Sequence, residues 1–229
     1  MEEKAIFDDF ANKYDEWFET PEGRKVKELE LDLLLQFVNP SPGEKMLEVG
    51  IGTGLFALEF AKRGMIVFGV EPSDKMREIA EKRGFTVKKG TGESIPYEDN
   101  SFDVVLAMTS MEFSKEPQRF VSEMKRVAKC GGRVVIAVLN LLSLYGIERR
   151  MRGLFEETVF KDAHFYTYWE LEKLLAKNFG RVEVSSSVFF PPNPSERVLQ
   201  YADKLEKFGR KYLKPFGALL VGKGVKDVC

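Results

Sequence analysis

Cysteine is nearly absent from this chain of 229 residues, which holds only Cys130 and Cys229. Two distant cysteines make neither a disulfide framework nor a metal-ligand cluster, so a reducing cytoplasm and no metal site are expected. An excess of one charge is also missing. Lys and Arg number 35 against 36 Asp and Glu, a net charge of −1. No global basic field exists to hold a nucleic acid by its phosphates, and no such partner is expected. Long apolar runs are missing too. Val134–Ile147 is interrupted by Asn140 and Ser143 and is shorter than the roughly 18 residues of a membrane-spanning helix. The opening Met1-Glu2-Glu3-Lys4 lacks the basic start and apolar centre of a signal peptide. Asn and Gln together number nine while 31% of residues are charged. That balance points to a thermophilic source, because ion-pair networks gain value when hot and amides are labile.

What is present is an ordinary apolar content, 44%, on a length that buries a core without staples. No repeat, linker or low-complexity stretch divides residues 1–229, which read as one domain. Ile6, Phe7, Phe10, Tyr14, Trp17 and Phe18 recur at helical spacing until Thr20-Pro21-Glu22-Gly23 breaks the pattern. Val26, Leu29, Leu33, Leu34 and Phe37 mark a second helix that stops at Asn39-Pro40. Strands are then expected at 45–49, 65–70, 86–89, 102–108, 133–139, 181–188 and 216–223. Helices are expected at 55–63, 73–84, 117–128, 167–180 and 198–212. This alternation implies an α/β fold: a doubly wound, seven-stranded sheet with helices on both faces and an antiparallel closing pair at one edge.

The sharpest local signal is Met46-Leu47-Glu48-Val49-Gly50-Ile51-Gly52-Thr53-Gly54. Glycines two apart after a strand let the backbone turn sharply and let a ligand lie against it. The helix start that follows offers free N–H groups to an anionic group. A dinucleotide fingerprint would put its third glycine at position 55, where this chain has Leu55. Glu71 ends the second strand, 21 residues after Gly50. A carboxylate there accepts hydrogen bonds from the ribose hydroxyls of a bound nucleoside.

With Leu47–Gly54 and Val70-Glu71-Pro72-Ser73, two further stretches, Glu93–Asp103 and Arg126–Arg133, complete a pattern of four motifs. On these the chain resembles the class I S-adenosylmethionine-dependent methyltransferases of the small-molecule branch, near the ubiquinone and menaquinone type, over residues 5 to about 185. The resemblance implies a Rossmann-like sheet with an antiparallel last strand. It assigns residues 1–40 to a helical lid, 41–140 to a cofactor-binding core and 141–229 to a substrate-side region with the closing strands. It implies S-adenosyl-L-methionine as cofactor and S-adenosyl-L-homocysteine as product. Glu48 and the backbone of Gly50, Gly52 and Gly54 would hold the methionine end. Glu71 and Pro72 would meet the ribose, Thr91, Gly92 and Glu93 the adenine, and Met108 would complete the pocket. The chain departs from the family at Thr91, where an Asp is common, and at Cys130, where Pro is usual and a small buried residue is expected here.

The lid reading extends to residues 5–24, with Arg24 and Tyr14 facing the cofactor carboxylate, because a guanidinium grips that group with two parallel bonds; the alternative is a surface arginine and a core tyrosine. Methyl transfer from a sulfonium needs mainly alignment and exclusion of water, so no side chain is obligatory. His164, the only histidine, is the candidate catalytic base, against a reading as an ordinary loop histidine. Phe113, Tyr145 and Tyr166 are candidates for the acceptor pocket or for plain core. Arg149, Arg150 and Arg152 read as a solvated face balanced by Glu148, Glu156 and Glu157, or as a contact for an acidic substrate. The activity expected is methyl transfer to a small-molecule acceptor. A cofactor-binding protein of this fold without turnover is the alternative, and a NAD-dependent oxidoreductase is disfavoured by Leu55.

Overall fold

The computed structural model describes residues 11–153, 160 and 163–227, with side chains from residue 15 onward. At its centre is a seven-stranded sheet in the order β3-β2-β1-β4-β5-β7-β6. Strands β1 (Lys45–Val49), β2 (Ile66–Val70), β3 (Thr86–Lys88), β4 (Phe102–Met108) and β5 (Ala128–Leu139) pair in parallel. The last strand, β7 (Leu219–Val225), lies antiparallel between β5 and β6 (Val182–Ser187). This is the expected doubly wound sheet with its antiparallel closing pair.

Central strands of such a sheet are covered on both faces, which is why β1, β4 and β5 read as near-continuous apolar runs. One face carries α2 (Pro21–Val38), α3 (Ala57–Ala61) and α4 (Asp74–Lys82). There Leu33, Leu34, Phe37 and Phe60 pack on Met46, Leu106 and Val135. The other face carries α5 (Pro117–Val127) and α7 (Tyr168–Ala176), whose Val121, Met124, Leu171 and Leu175 pack on Leu47, Val105 and Ile136. A third cluster at the carboxyl end of the sheet joins α2 to α6 (Leu144–Arg152) and to the pair α8 (Glu196–Gln200) and α9 (Ala202–Tyr212). The short α1 (Ala11–Phe18) precedes α2. The break between them is set by Thr20, whose hydroxyl accepts from Gly23 N, with Pro21 at the first helical position.

Several boundaries differ from the sequence reading for local reasons. Strand β5 begins at Ala128, because the chain passes through Gly131 at φ 75° and resumes pairing, with an irregularity in register between Phe102 and Val104. The helix expected over 198–212 is split at Tyr201, which leaves helical geometry. Cys130, expected to be buried, is exposed on β5 and engaged in a disulfide. Among the described residues no helix is long and apolar enough to cross a membrane, and no group of His, Cys, Asp and Glu is placed to hold a metal ion.

The exit of β5 is pinned by Asn140, which is fully buried. Its amide donates to Pro215 O at 2.8 Å and Gly217 O at 2.7 Å, and its Oδ1 accepts from Leu142 N at 3.0 Å. Asn140→Ala would leave three backbone groups without that partner, each worth about 1–3 kcal/mol when buried. The expected outcome is a loss of roughly 2–4 kcal/mol in denaturant titration, with the slope unchanged.

Candidate active site

The carboxyl ends of β1, β2 and β4 open onto a cavity of about 1710 Å³, the place where open α/β sheets bind ligands. Its floor is the turn after β1. Gly50, Gly52 and Gly54 sit at φ 73°, 56° and 80°, a region that side chains rarely adopt. At Gly50 a Cβ would fall 2.4 Å from Ser110 Cβ. At Gly52 the nearest heavy atom to such a Cβ is Met76 Sδ at 4.0 Å, so the space there belongs to the cavity. Gly54 does not line the cavity. It packs on Phe85, whose ring atoms would stand 2.9 Å from its Cβ.

Two carboxyl groups stand over this turn. Glu71 Oε2 accepts from Gly52 N and Oε1 from Ser73 N, both at 2.9 Å. The carboxylate thereby ties the β1 turn to the start of α4 while it borders the cavity. Glu48 is 2% exposed, and its Oε2 has no hydrogen-bond partner among the described residues. Burial, helped by the nearby Glu71 charge, pushes its carboxyl up to about 8.

A third wall is the segment after β3. Thr91 bridges to Ser94, Gly92 lies so close to Phe120 that a Cβ would meet the ring at 1.9 Å, and Glu93 Oε1 accepts from Ser114 Oγ at 2.5 Å. Thr91, Gly92, Glu93, Pro72 and Met108 all line the cavity. The cover comes from the α1–α2 corner through Glu16, Trp17 and Phe18. It is latched to the floor by Asp15, which accepts from Thr53 Oγ1 at 2.7 Å and pairs with Arg83, itself a donor to Thr53 O at 2.8 Å.

Other expected residues stand elsewhere. Arg24 is exposed and donates to the Glu19 carbonyl, outside the cavity. His164 is exposed, edge-on to the Tyr166 ring at 4.6 Å, with its backbone N–H on Glu112 O at 2.7 Å, and does not line the cavity. Residues 5–10 of the expected lid, the Tyr14 side chain, Glu156 and Glu157 lie outside the described residues. Phe113, Tyr145, Arg149 and Arg152 line the cavity, whereas Tyr166 is core and Arg150 is exposed. The sequence reading missed Asp15, Arg83 and Glu30. Glu30 carried a signal, because Glu22, Val26 and Glu30 recur every four residues and line one wall.

Residues 47–136 match the family of methyltransferase domains. An uncharacterized protein of Methanocaldococcus jannaschii is 34% identical over 188 residues, which cover 80% of this chain and 85% of that one. A demethylmenaquinone methyltransferase of Renibacterium salmoninarum is 32% identical over 138 residues, 58% of this chain and 56% of that one. Among solved structures, an S-adenosylmethionine-dependent methyltransferase of Thermotoga maritima, described as a possible histamine N-methyltransferase, is similar with a TM-score of 0.76. It is 32% identical, and the match covers 97% of this chain and 98% of that one.

The raised carboxyl of Glu48 has a consequence for stability. A carboxyl near 8 when folded and near 4.5 when unfolded binds more protons in the folded state between those values, so stability falls as pH rises through that window. Glu48→Gln removes this loss. Without ligand, the variant should melt above the wild type at alkaline pH, and the gap should close as the pH falls towards the usual carboxylate range. Melting curves across that pH series provide the check.

Proposed function

The chain belongs to the S-adenosylmethionine-dependent methyltransferases, and we propose that its cavity holds that cofactor and a small-molecule methyl acceptor side by side. The reading is carried by one observation, the Glu71 carboxylate fixed by Gly52 N and Ser73 N at the edge of the cavity. The residues present fit the cofactor. Glu48 is a buried carboxyl whose Oε2 has no hydrogen-bond partner among the described residues, which suits an ammonium group, and the open space beside Gly52 suits a chain lying against the backbone. The cavity, at about 1710 Å³, exceeds the roughly 300–1,000 Å³ of a single small-ligand site.

When bound, S-adenosylmethionine supplies a methyl group on a sulfonium together with its own leaving group. The side chains bind, orient and exclude water. Glu71 would accept from the ribose hydroxyls, and Glu48 with the Gly50–Gly52 backbone would orient the methionine end. Thr91, Gly92, Glu93, Pro72 and Met108 would frame the base, with Glu93 aligned by Ser114. Gly54 shapes the turn from behind. Residues 1–40 would serve as the lid, closed through Asp15, Thr53 and Arg83 rather than through Arg24. Residues 41–140 would hold the cofactor and residues 141–229 the acceptor side.

Two substitutions test this placement by calorimetry with S-adenosylhomocysteine. Glu71→Gln keeps one acceptor oxygen for the turn and loses the charge, so affinity should fall by roughly ten- to a hundredfold, about 1.5–3 kcal/mol. Gly52→Val puts a branched side chain into the cavity at φ 56° and should abolish binding. Unchanged affinity in folded samples of both would remove the cofactor from this turn.

A further inference from the structure

We propose that Glu30 takes up the proton of the methyl acceptor, and that the acceptor is a small amine with an apolar or aromatic body. The inference rests on the function proposed above and concerns the half of the cavity away from the glycine turn. That half lies between α2 and α6, with Val188, just after β6, and Ala218, just before β7, also lining it.

Glu30 is 7% exposed and lines the cavity, and among the described residues no hydrogen bond or ion pair reaches its carboxyl. A buried acid with no partner is costly, and an occupant that donates to it removes that cost. Its neighbours are already engaged. Tyr145 donates its hydroxyl to Glu22 at 2.6 Å, and Arg152 pairs with Glu148 at 3.7 Å. The Arg149 guanidinium lies over the Phe160 ring at 5.2 Å and the Tyr145 ring at 5.5 Å. Burial disfavours its charge and lowers its pKa, and Glu30, Tyr145, Glu148 and Glu112 only partly offset that. An anion beside Arg149 would therefore also stand beside these carboxyl groups. A cation beside Glu30 meets one opposing charge, that of Arg149, and an apolar body attached to it meets the side of the cavity lined by Trp17, Val26 and Phe160.

An amine arrives protonated, and its nitrogen cannot attack until one proton has left. The Glu30 carboxylate takes that proton and becomes a carboxylic acid. The freed nitrogen lone pair forms the new N–C bond, while the electron pair of the C–S⁺ bond goes to sulfur and leaves a neutral thioether. The methylated product departs as an ammonium, and Glu30 returns its proton to water. The groups facing Glu30 are Arg149 on α6 and Glu206 on α9. Burial pushes its carboxyl up to about 8, Arg149 pulls it down and Glu206 pushes it up. Uptake by the ionised form therefore strengthens as pH rises through that value.

The test is calorimetry of the full chain saturated with S-adenosylhomocysteine, using 2-phenylethylamine, phenylacetate and inorganic phosphate as probes. Expected are binding of the amine alone, stronger above pH 8 than below it, and at least a tenfold loss in Glu30→Gln with S-adenosylhomocysteine affinity unchanged. Should that variant fold poorly, the carboxyl carbon resonance of Glu30 in the wild type should shift on adding the amine and stay still with phenylacetate. Binding of phenylacetate or phosphate, amine affinity equal in wild type and variant, or no amine binding at all would overturn the assignment. Failure of the wild type to bind S-adenosylhomocysteine would instead remove the function on which it rests.

Discussion

Two backbone N–H groups converge on one carboxylate. Glu71 receives Gly52 N and Ser73 N, and through them the turn after β1 and the turn after β2 become a single rigid edge. Charge-assisted bonds of this kind are roughly twice as strong as neutral ones, and in a buried setting they also fix geometry. The left-handed glycines can then hold a path that side chains would resist, and the N-terminus of α4 is aimed at the same space. The wall at Gly92 and the floor at Gly50 and Gly52 stand at fixed distances from that edge. Parallel strands supply the scaffold, because register between β1, β2 and β4 places their carboxyl ends side by side.

The second theme is buried acid. Glu48 and Glu30 each hold an acidic proton far above the usual carboxylate range, and burial is the largest cause in both. They stand on different sides of one cavity. A site that retains two such groups gives up folded-state stability at neutral pH, and evolution tolerates that where a ligand compensates. Glu48 suits the cofactor's ammonium and Glu30 suits the acceptor's.

Much of this was legible in the sequence because it depends on local chemistry. Apolar runs over Phe102–Met108 and the paired glycines needed no tertiary context, and the spacing from Gly50 to Glu71 matches two residues that border one cavity. Thr167 and Glu170 formed the capping box that their spacing implied. What stayed hidden depends on packing between distant segments. Arg24 looked like an anion clamp but turns outward to the Glu19 carbonyl. Asp15 reads as one more helix-face acid until the fold brings Thr53 and Arg83 to it. His164 has the chemistry of a base, but it is exposed and does not line the cavity, with its backbone held to Glu112 and its ring against Tyr166. Glu30 sat among alternating charges, and only its four-residue spacing from Val26 hinted that it faced inward.

All of these placements assume that the edge built on Glu71 receives an adenosyl sulfur compound and not a nicotinamide dinucleotide, which similar sheets also bind. Calorimetric titration of the wild-type chain with S-adenosylhomocysteine, and in parallel with NAD, separates the two. Saturable binding of S-adenosylhomocysteine at one site per chain, with no heat from NAD, is the expected result. Binding of NAD with no response to S-adenosylhomocysteine would contradict the central claim.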